Sequence, residues 1–529
     1  MTRITDSAAW QALATHYDDT VAMTLADMFR SDAARFATLS REHGGLLLDL
    51  SRNRLSGDTL GRLLDLARAA DVESWRRRLF SGETVNATED RAALHTALRD
   101  PRGLFGAPVT NDIVATQGRL ASFTAAVRDG TEGGVGGQPF RDVVALGIGG
   151  SHLGPLFAAS ALGDRAGPQV HFVANVDGHA LDAVLRAVDP ATTLFVVGSK
   201  TFTTQETMTN AATAAAWLTA AIGDEAVQSH VAALTARPDR ALEFGLREAR
   251  IFPFWDWVGG RFSLWSAAGL PAAIAMGWTA FDEMCAGAHD MDRHFVDAPL
   301  EDNLPVLLAL AGIWNVNFEN LGAHAVVPYD ERLRHLPAFL QQLEMESNGK
   351  GVSRTGEVLE AAVAPVVFGM AGTNAQHTFH QWLHQGPRQA AVDFIAAARP
   401  AHDLAGHHDK LIANMLAQAE ALAFGTDGEG DPHKACPGNR PSTTILVEQL
   451  DGRRLGMLIA LYEHKVFVQG VIWGLNSFDQ FGVELGKDLA ARLLPAAQGG
   501  EMGNETGDDL DSSTAGLLAQ FHTWRDGTP

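Results

Sequence analysis

Short apolar runs followed by stretches of helical period recur along this chain. Val143 to Leu146, Val170 to Val173 and Leu194 to Gly198 read as strands of one parallel sheet, with a helix over Leu181 to Val188. Glycine-rich sequence from Gly130 to Gly137 marks where that sheet begins. After about residue 300 the alternation returns. It runs helix (Leu304 to Phe318), strand (Ala323 to Val327), helix (Arg332 to Leu343), strand (Val363 to Phe368), helix (Gln376 to Gln385) and strand (Ala391 to Ile395). Helix (Asp409 to Ala423), strand (Thr443 to Val447) and helix (Leu455 to His464) complete it. Such alternation implies a second parallel sheet and an α/β fold. Residues 1 to about 120 differ: they are rich in Ala, Leu and Arg, turn at Ser81-Gly82-Glu83-Thr84, and predict helices.

At 529 residues the chain exceeds the size at which one core stops growing, so two domains are expected. A net charge of −22 excludes a nucleic-acid-binding surface, which depends on clustered Lys and Arg. An anionic ligand must therefore be held locally. Cys285 and Cys436 give no disulfide framework, and the start Met-Thr-Arg-Ile-Thr-Asp-Ser lacks a signal-peptide pattern. A cytoplasmic chain is expected. From Phe262 to Phe281 about twenty residues carry no charge, the length of a membrane span. Pro271, glycines and Ser/Thr residues inside that stretch predict a buried, interrupted helix instead, and no membrane partner.

The Leu194 to Gly198 strand empties into Ser199-Lys200-Thr201-Phe202-Thr203-Thr204-Gln205-Glu206. Thr203 followed by Glu206 predicts a capping box, and Ala-rich sequence carries the helix to Ala221. Hydroxyls, one lysine and the positive helix end at one point form a cradle for phosphate. A second loop, Gly147-Ile148-Gly149-Gly150-Ser151-His152-Leu153-Gly154-Pro155, follows the Val143 to Leu146 strand. His152 stands where a dinucleotide fingerprint needs its third glycine, so backbone approach to an anion is the better reading. Both loops fall at carboxyl ends of strands, where open α/β sheets bind ligands.

Met345-Glu346-Ser347-Asn348-Gly349-Lys350 leaves a helix at a glycine turn and projects Glu346 near the end of an element. In Gly372-Thr373-Asn374-Ala375-Gln376-His377, Thr373 or Asn374 is expected to cap a helix with His377 in its first turn, where the positive helix end disfavours protonation. His377, His380 and His384 would then share a helix face. No carboxylate or cysteine keeps ligand spacing with them, so no metal is expected. Phe254-Trp255-Asp256-Trp257-Val258-Gly259-Gly260-Arg261 anchors an arginine by buried tryptophans. Asn476 to Lys487 is a polar turn feeding a helix that carries Lys487.

The blocks Gly147 to Pro155, Ser199 to Ala211, Phe254 to Leu270, Met345 to Lys350, Gly372 to Gly386 and Asn476 to Lys487 together resemble the signatures of the glucose-6-phosphate isomerase (phosphoglucose isomerase) family. Phe80 to Glu83, Thr88 to Arg91 and Leu94 to Arg99 resemble it too, so the likeness spans the chain. The resemblance implies two unequal sugar-isomerase αβα sandwich domains with parallel-rich sheets and helical extensions. Their expected bounds are 1–120 (helical, packing on the larger domain), 121–285 (smaller, with the phosphate cradle) and 286–529 (larger, with the tail). The acidic stretch from Glu501 to Asp511 is expected to be mobile.

By the same resemblance Glu346 moves a proton between C2 and C1 of a sugar phosphate through a cis-enediol. His377, reaching the site from a neighbouring subunit, and Lys487 assist ring opening, and Arg261 stabilises the enediolate charge. Gln342 and Gln480 match positions near the sugar hydroxyls; Gly150, Ser151, Ser199, Lys200, Thr201 and Thr204 match sugar and phosphate contacts. The resemblance implies no metal or organic cofactor, and a homodimer. Phe262, Ala375, His380 and Phe481 depart from the usual residues of the family, and none removes a catalytic group. A non-catalytic sugar-phosphate sensor would need the cradle but not Glu346, Arg261 and Lys487 together. An amino-sugar phosphate isomerase would be coupled to an ammonia-producing domain with a nucleophilic cysteine, a context that neither Cys285 nor Cys436 offers.

Overall fold

In the computed structural model, which describes residues 3–100, 103, 110–164, 166–499 and 510–527, eleven strands build two sheets. In chain order they are β1 (Ser40–His43), β2 (Leu46–Asp49), β3 (Asp142–Gly147), β4 (Gln169–Val173), β5 (Thr193–Gly198) and β6 (Val231–Thr235). They continue as β7 (Ile251–Pro253), β8 (Ala323–Pro328), β9 (Val366–Gly369), β10 (Ala391–Arg399) and β11 (Ser442–Gln449).

The first sheet has the order β4-β3-β5-β6-β7 and every pair is parallel. Its strands are apolar throughout because both faces are covered. Val143, Leu194 and Val196 share a core with Phe157 and Ala158 of the Gly150–Leu162 helix. Val144, Leu146, Phe195 and Val197 share another with Ala211, Ala214 and Leu218 of the Gln205–Ile222 helix. After β3 the chain goes to β4 on one side and then to β5 on the other, so the crevice of this sheet opens between the carboxyl ends of β3 and β5.

The second sheet has the order β1-β2-β11-β10-β8-β9; β9, β8, β10 and β11 are mutually parallel. β2 pairs antiparallel with β11 and β1 with β2. Helices make up much of the described part of residues 1–120, but residues 40–49 form this hairpin, a difference from the all-helical reading. Gly44 and Gly45 both take positive φ, as a two-residue hairpin turn demands, and Leu46 and Leu48 point into the core.

The stretch from Phe262 to Phe281 is buried and interrupted, as its sequence predicts. It is divided among the 3-10 turns Gly260–Trp265 and Ala267–Gly269 and the helices Leu270–Met276 and Trp278–Asp297. Among the described residues one helix, Gly452–Trp473, is long and apolar enough to cross a membrane; it is packed inside the protein. Its consecutive Glu463, His464 and Lys465 are buried and paired. Glu463 accepts from Arg99 at 2.5 Å and from Trp265 at 2.8 Å, His464 meets Asp292 at 2.7 Å, and Lys465 pairs with Glu344. Asp292 also receives two Arg99 bonds, and Arg99 with its other contacts holds the Asp292 carboxyl down at about 2 despite burial.

Residues 1–478 form one compact unit and 479–529 another. In the second, the helices Glu484–Ala497 and Ser512–Asp526 are joined by His522 to the Ala496 carbonyl at 2.8 Å. Of the acidic stretch expected to be mobile, residues 501–509 lie outside the described residues; Asp511 caps the Ser512–Asp526 helix.

Candidate active site

The two loops singled out from the sequence meet at the crevice of the first sheet. Gly147 and Gly198 are register partners at the ends of β3 and β5. A Cβ on either would stand 3.0 or 3.3 Å from Ser151 Cβ, so Ser151 lies over both glycines. Beyond β5, Ser199 and Thr204 share a hydrogen bond of 3.0 Å between their hydroxyls. Phe202 between them is buried in the left-handed region at φ 52°, a strained conformation that bends the hydroxyls onto one side.

That bend overturns the expected capping box. The helix begins at Gln205 with Thr204 as its N-cap, and the Thr204 side chain accepts nothing from the helix amides because it faces Ser199. Thr203, now outside the helix, donates to the Thr201 hydroxyl at 2.8 Å. The first-turn amides of an eighteen-residue helix are thus left without a side-chain cap and free for an anion. Lys200 donates to the backbone carbonyls of Asp256 at 2.6 Å and Val258 at 3.1 Å, and Arg240 holds the Thr201 carbonyl at 2.7 Å. Burial, and then the nearby Arg91 charge, lower the pKa of Lys200.

The second wall comes from the crossover between β8 and β9. There the Leu336–Leu340 helix widens into a π-helical turn over Gln341–Glu346, a form that recurs at functional sites. The turn divides its carboxylates. Glu344 points into the core onto Lys465, whereas Glu346 keeps 24% of its side chain exposed. Each oxygen of Glu346 has its own donor: Arg261 Nη1 on Oε1 at 3.1 Å and Gln342 Nε2 on Oε2 at 3.0 Å. Arg261 is almost wholly buried, and it also donates to Ser347 Oγ and to the Ser477 carbonyl, both at 2.6 Å. Ser477 in turn donates to Asn348, which donates to the Val466 carbonyl at 2.9 Å. Ser347, Asn348 and Ser477 were not among the sequence-predicted site residues, although all three lie inside the blocks that carried the resemblance.

The two walls touch. At Gly149, φ +58°, an added Cβ would lie 3.1 Å from Gln342 Nε2; at Gly150 it would lie 1.9 Å from the Gly260 carbonyl oxygen. Only glycine lets the loop after β3 stack on both Gln342 and the Gly260-Arg261 backbone. Gly150, Ser151, Gln342, Arg261 and Glu346 are therefore one constellation, bordered by the Ser199, Lys200, Thr201 and Thr204 loop through Ser151 and through the Asp256 and Val258 carbonyls.

His377 is not part of it. The Gly372–Gln376 helix begins after Ala371 with no side-chain cap, and His377 stands exposed just beyond its carboxyl end, so the expected positive helix end does not act on it. The expected three-histidine face is broken as well, because a new helix starts at His380. His380 is buried, and it and His384 converge on Gln418 Oε1 at 2.9 and 2.8 Å. Lys487, exposed in the first turn of the Glu484–Ala497 helix, and Gln480, before the 3-10 turn Phe481–Val483, belong to the second unit. Of the departures from the family pattern, Phe262 is buried against the His95 ring at 4.6 Å, Ala375 is buried, and Phe481 is half exposed.

The sequence model described as Phosphoglucose isomerase matches residues 49–518. Glucose-6-phosphate isomerase 1 of Chromohalobacter salexigens is 47% identical over 528 residues, which cover 98% of this chain and 95% of that protein. The Deinococcus radiodurans glucose-6-phosphate isomerase is 47% identical and both chains are covered completely. A crystal structure of a glucose-6-phosphate isomerase from Chlamydia trachomatis superposes with a TM-score of 0.87 at 31% identity, over 99% of this chain and 100% of that one. On whole-length likeness in sequence and in fold, the chain belongs to the phosphoglucose isomerase family and is an isomerase.

Proposed function

We propose that Glu346 is the base that moves the proton as this enzyme interconverts glucose 6-phosphate and fructose 6-phosphate. The observation that carries this reading is the two-donor clamp on its carboxylate, Arg261 on one oxygen and Gln342 on the other, beside an uncapped helix amino end. A carboxylate so held is oriented without being buried away from substrate. It takes the proton from C2 of the open-chain aldose, leaving a cis-enediolate, and returns it to C1 while the hydroxyl proton passes from O2 to O1. Arg261, permanently charged, stabilises the enediolate oxygen.

Ser199, Lys200, Thr201 and Thr204 hold the phosphate with the first-turn amides of the Gln205–Ile222 helix, and Gly150 and Ser151 bring backbone to the sugar. Gln342 and Gln480 read sugar hydroxyls. Lys487 acts on the ring oxygen, with His377 supplied by a neighbouring copy in a homodimer; the exposure of His377 beyond its helix fits a residue that serves a partner. Residues 121–285 and 286–529 are read as the smaller and larger sugar-isomerase domains, with 1–120 adding to the larger. Two unpaired cysteines fit a cytoplasmic location.

The test is a coupled assay of glucose 6-phosphate formation from fructose 6-phosphate in heavy water, with and without chelator. A shuttled proton exchanges with solvent and leaves deuterium at C2 of the product. Deuterium there shows that an exchangeable group carries the proton, and wild-type turnover with the same incorporation in Glu346→Gln would remove Glu346 from this role.

A further inference from the structure

The phosphate end carries a second cation that the sequence reading did not include. Arg91 Nη1 donates to the Asp256 carbonyl at 2.8 Å, and Lys200 Nζ donates to that same oxygen at 2.6 Å. Two cationic donors thus converge on one acceptor in the loop that leads through Gly259 and Gly260 to Arg261. Lys200 has a further acceptor, the Val258 carbonyl.

Arg91 is itself held. Its backbone pairs in both directions with Asn86, and Glu89 accepts from both the Arg91 guanidinium and Asn86 Nδ2. The same short loop reaches the other side of the site. Asn476 donates to Asn86 Oδ1 at 2.8 Å and to Thr88, and the residue after Asn476 is Ser477, whose carbonyl seats Arg261. The Asn86 to Arg91 loop therefore joins the two segments that fix the ends of Arg261.

We propose that Arg91 is a further positioning residue: it keeps the Asp256 carbonyl, and with it the Trp255 to Arg261 segment, in place when Lys200 turns from that carbonyl to a bound phosphate. This deepens the function proposed above and rests on its assignment of Lys200 to phosphate. A dianion offers Lys200 a stronger acceptor than two neutral carbonyls. Without a second donor, the move would release the loop, and part of the free energy of phosphate binding would be lost to that release. Arg91 also adds a positive charge close to the phosphate end, with one donor held by Asp256 and one by Glu89.

The experiment compares wild type, Arg91→Met, Arg91→Lys, Lys200→Ala and the double variant Arg91→Met/Lys200→Ala. It reads kcat and KM for fructose 6-phosphate and the inhibition constant of inorganic phosphate. Arg91→Met is expected to raise KM and the inhibition constant about tenfold each, while kcat falls by less than about threefold. Arg91→Lys, which keeps a donor and a charge, recovers at least half of that loss on a logarithmic scale. In the double variant the two losses are less than additive, because once Lys200 is gone there is no exchange for Arg91 to support.

Unchanged KM and phosphate inhibition in Arg91→Met overturn the proposal. A loss confined to the active fraction or the melting temperature, with KM intact in both Arg91 variants, assigns Arg91 to stability alone and overturns it too. If wild type is not inhibited by inorganic phosphate and Lys200→Ala leaves KM unchanged, it is the phosphate role of Lys200 that fails, an outcome distinct from the failure of Arg91.

Discussion

Replacing Lys465 by Met tests how the fold holds the turn that carries Glu346. Lys465 and Glu344 pair inside the core through Glu344 Oε2, with side-chain exposures of 2% and 3%, and Glu344 Oε1 has no hydrogen-bond partner among the described residues. Met keeps the bulk of the lysine stem and deletes its charge, so Glu344 becomes a buried carboxylate with nothing to neutralise it. Breaking such a pair from one side costs about 3–5 kcal/mol. At about 2.1 cal/mol/K of unfolding entropy per residue, the unit Met1–Phe478 loses about 1 kcal/mol per kelvin near its midpoint. The variant should therefore melt about 3–5 °C lower.

The sign of the pH dependence separates this cause from lost packing. An unpaired buried carboxylate is neutralised by taking up a proton. The folded variant then binds a proton that the unfolded chain releases, and its stability recovers as pH falls. Calorimetry at one scan rate should show a gap to wild type wider at about pH 8 than at about pH 5.5, and Glu344→Gln added to Lys465→Met should narrow it. A gap below about 1 °C at the higher pH, or one equal at both, would show that an unpaired Glu344 carboxylate is not the cause.

Gly150→Ala places a Cβ 1.9 Å from the Gly260 oxygen, a clash that forces apart the Gly150 loop and the Gly260-Arg261 backbone; kcat/KM should fall about 100-fold, against no more than about twofold for Gly178→Ala, where the space is open. Steady-state kinetics of the two variants check it. Lys200→Ala should raise KM more than it lowers kcat, and the opposite pattern would count against a phosphate role. Burial and the stacked His43 ring push His294 down from 6.5 to about 4. The folded state thus binds fewer protons than the unfolded one across that window, and stability is lost as pH falls through it. His294→Gln, which keeps an acceptor for the Leu304 amide, should flatten the fall in melting temperature between about pH 7 and pH 5; an unaltered slope contradicts the assignment.

What the sequence made legible was local. The apolar runs became β3 and β5, and the hydroxyls behind them lie where the strand order opens a crevice. The capping box at Thr203 failed because one residue in the left-handed region, Phe202, moved the helix start, and nothing in the local pattern signals that. The broken histidine helix failed for a similar reason: its boundaries are set by tertiary packing. The β1–β2 hairpin was missed because its partner, β11, lies at the far end of the chain, although Gly44-Gly45 before three leucines was an available sign. Arg91 was beyond reach, since its acceptor Asp256 is 165 residues away. The run Glu463-His464-Lys465 inside an apolar helix was a sign of buried pairing that went unread, since such charges are tolerated inside only when paired.

Proton transfer in this site depends on the carboxylate of Glu346, and Glu346→Gln tests that most directly. The amide keeps the shape and can still meet Arg261 through its oxygen, so fructose 6-phosphate should bind within about threefold of wild type while kcat falls by about 10²–10⁴-fold. Turnover within about tenfold of wild type, with binding intact, would show that another group moves the proton.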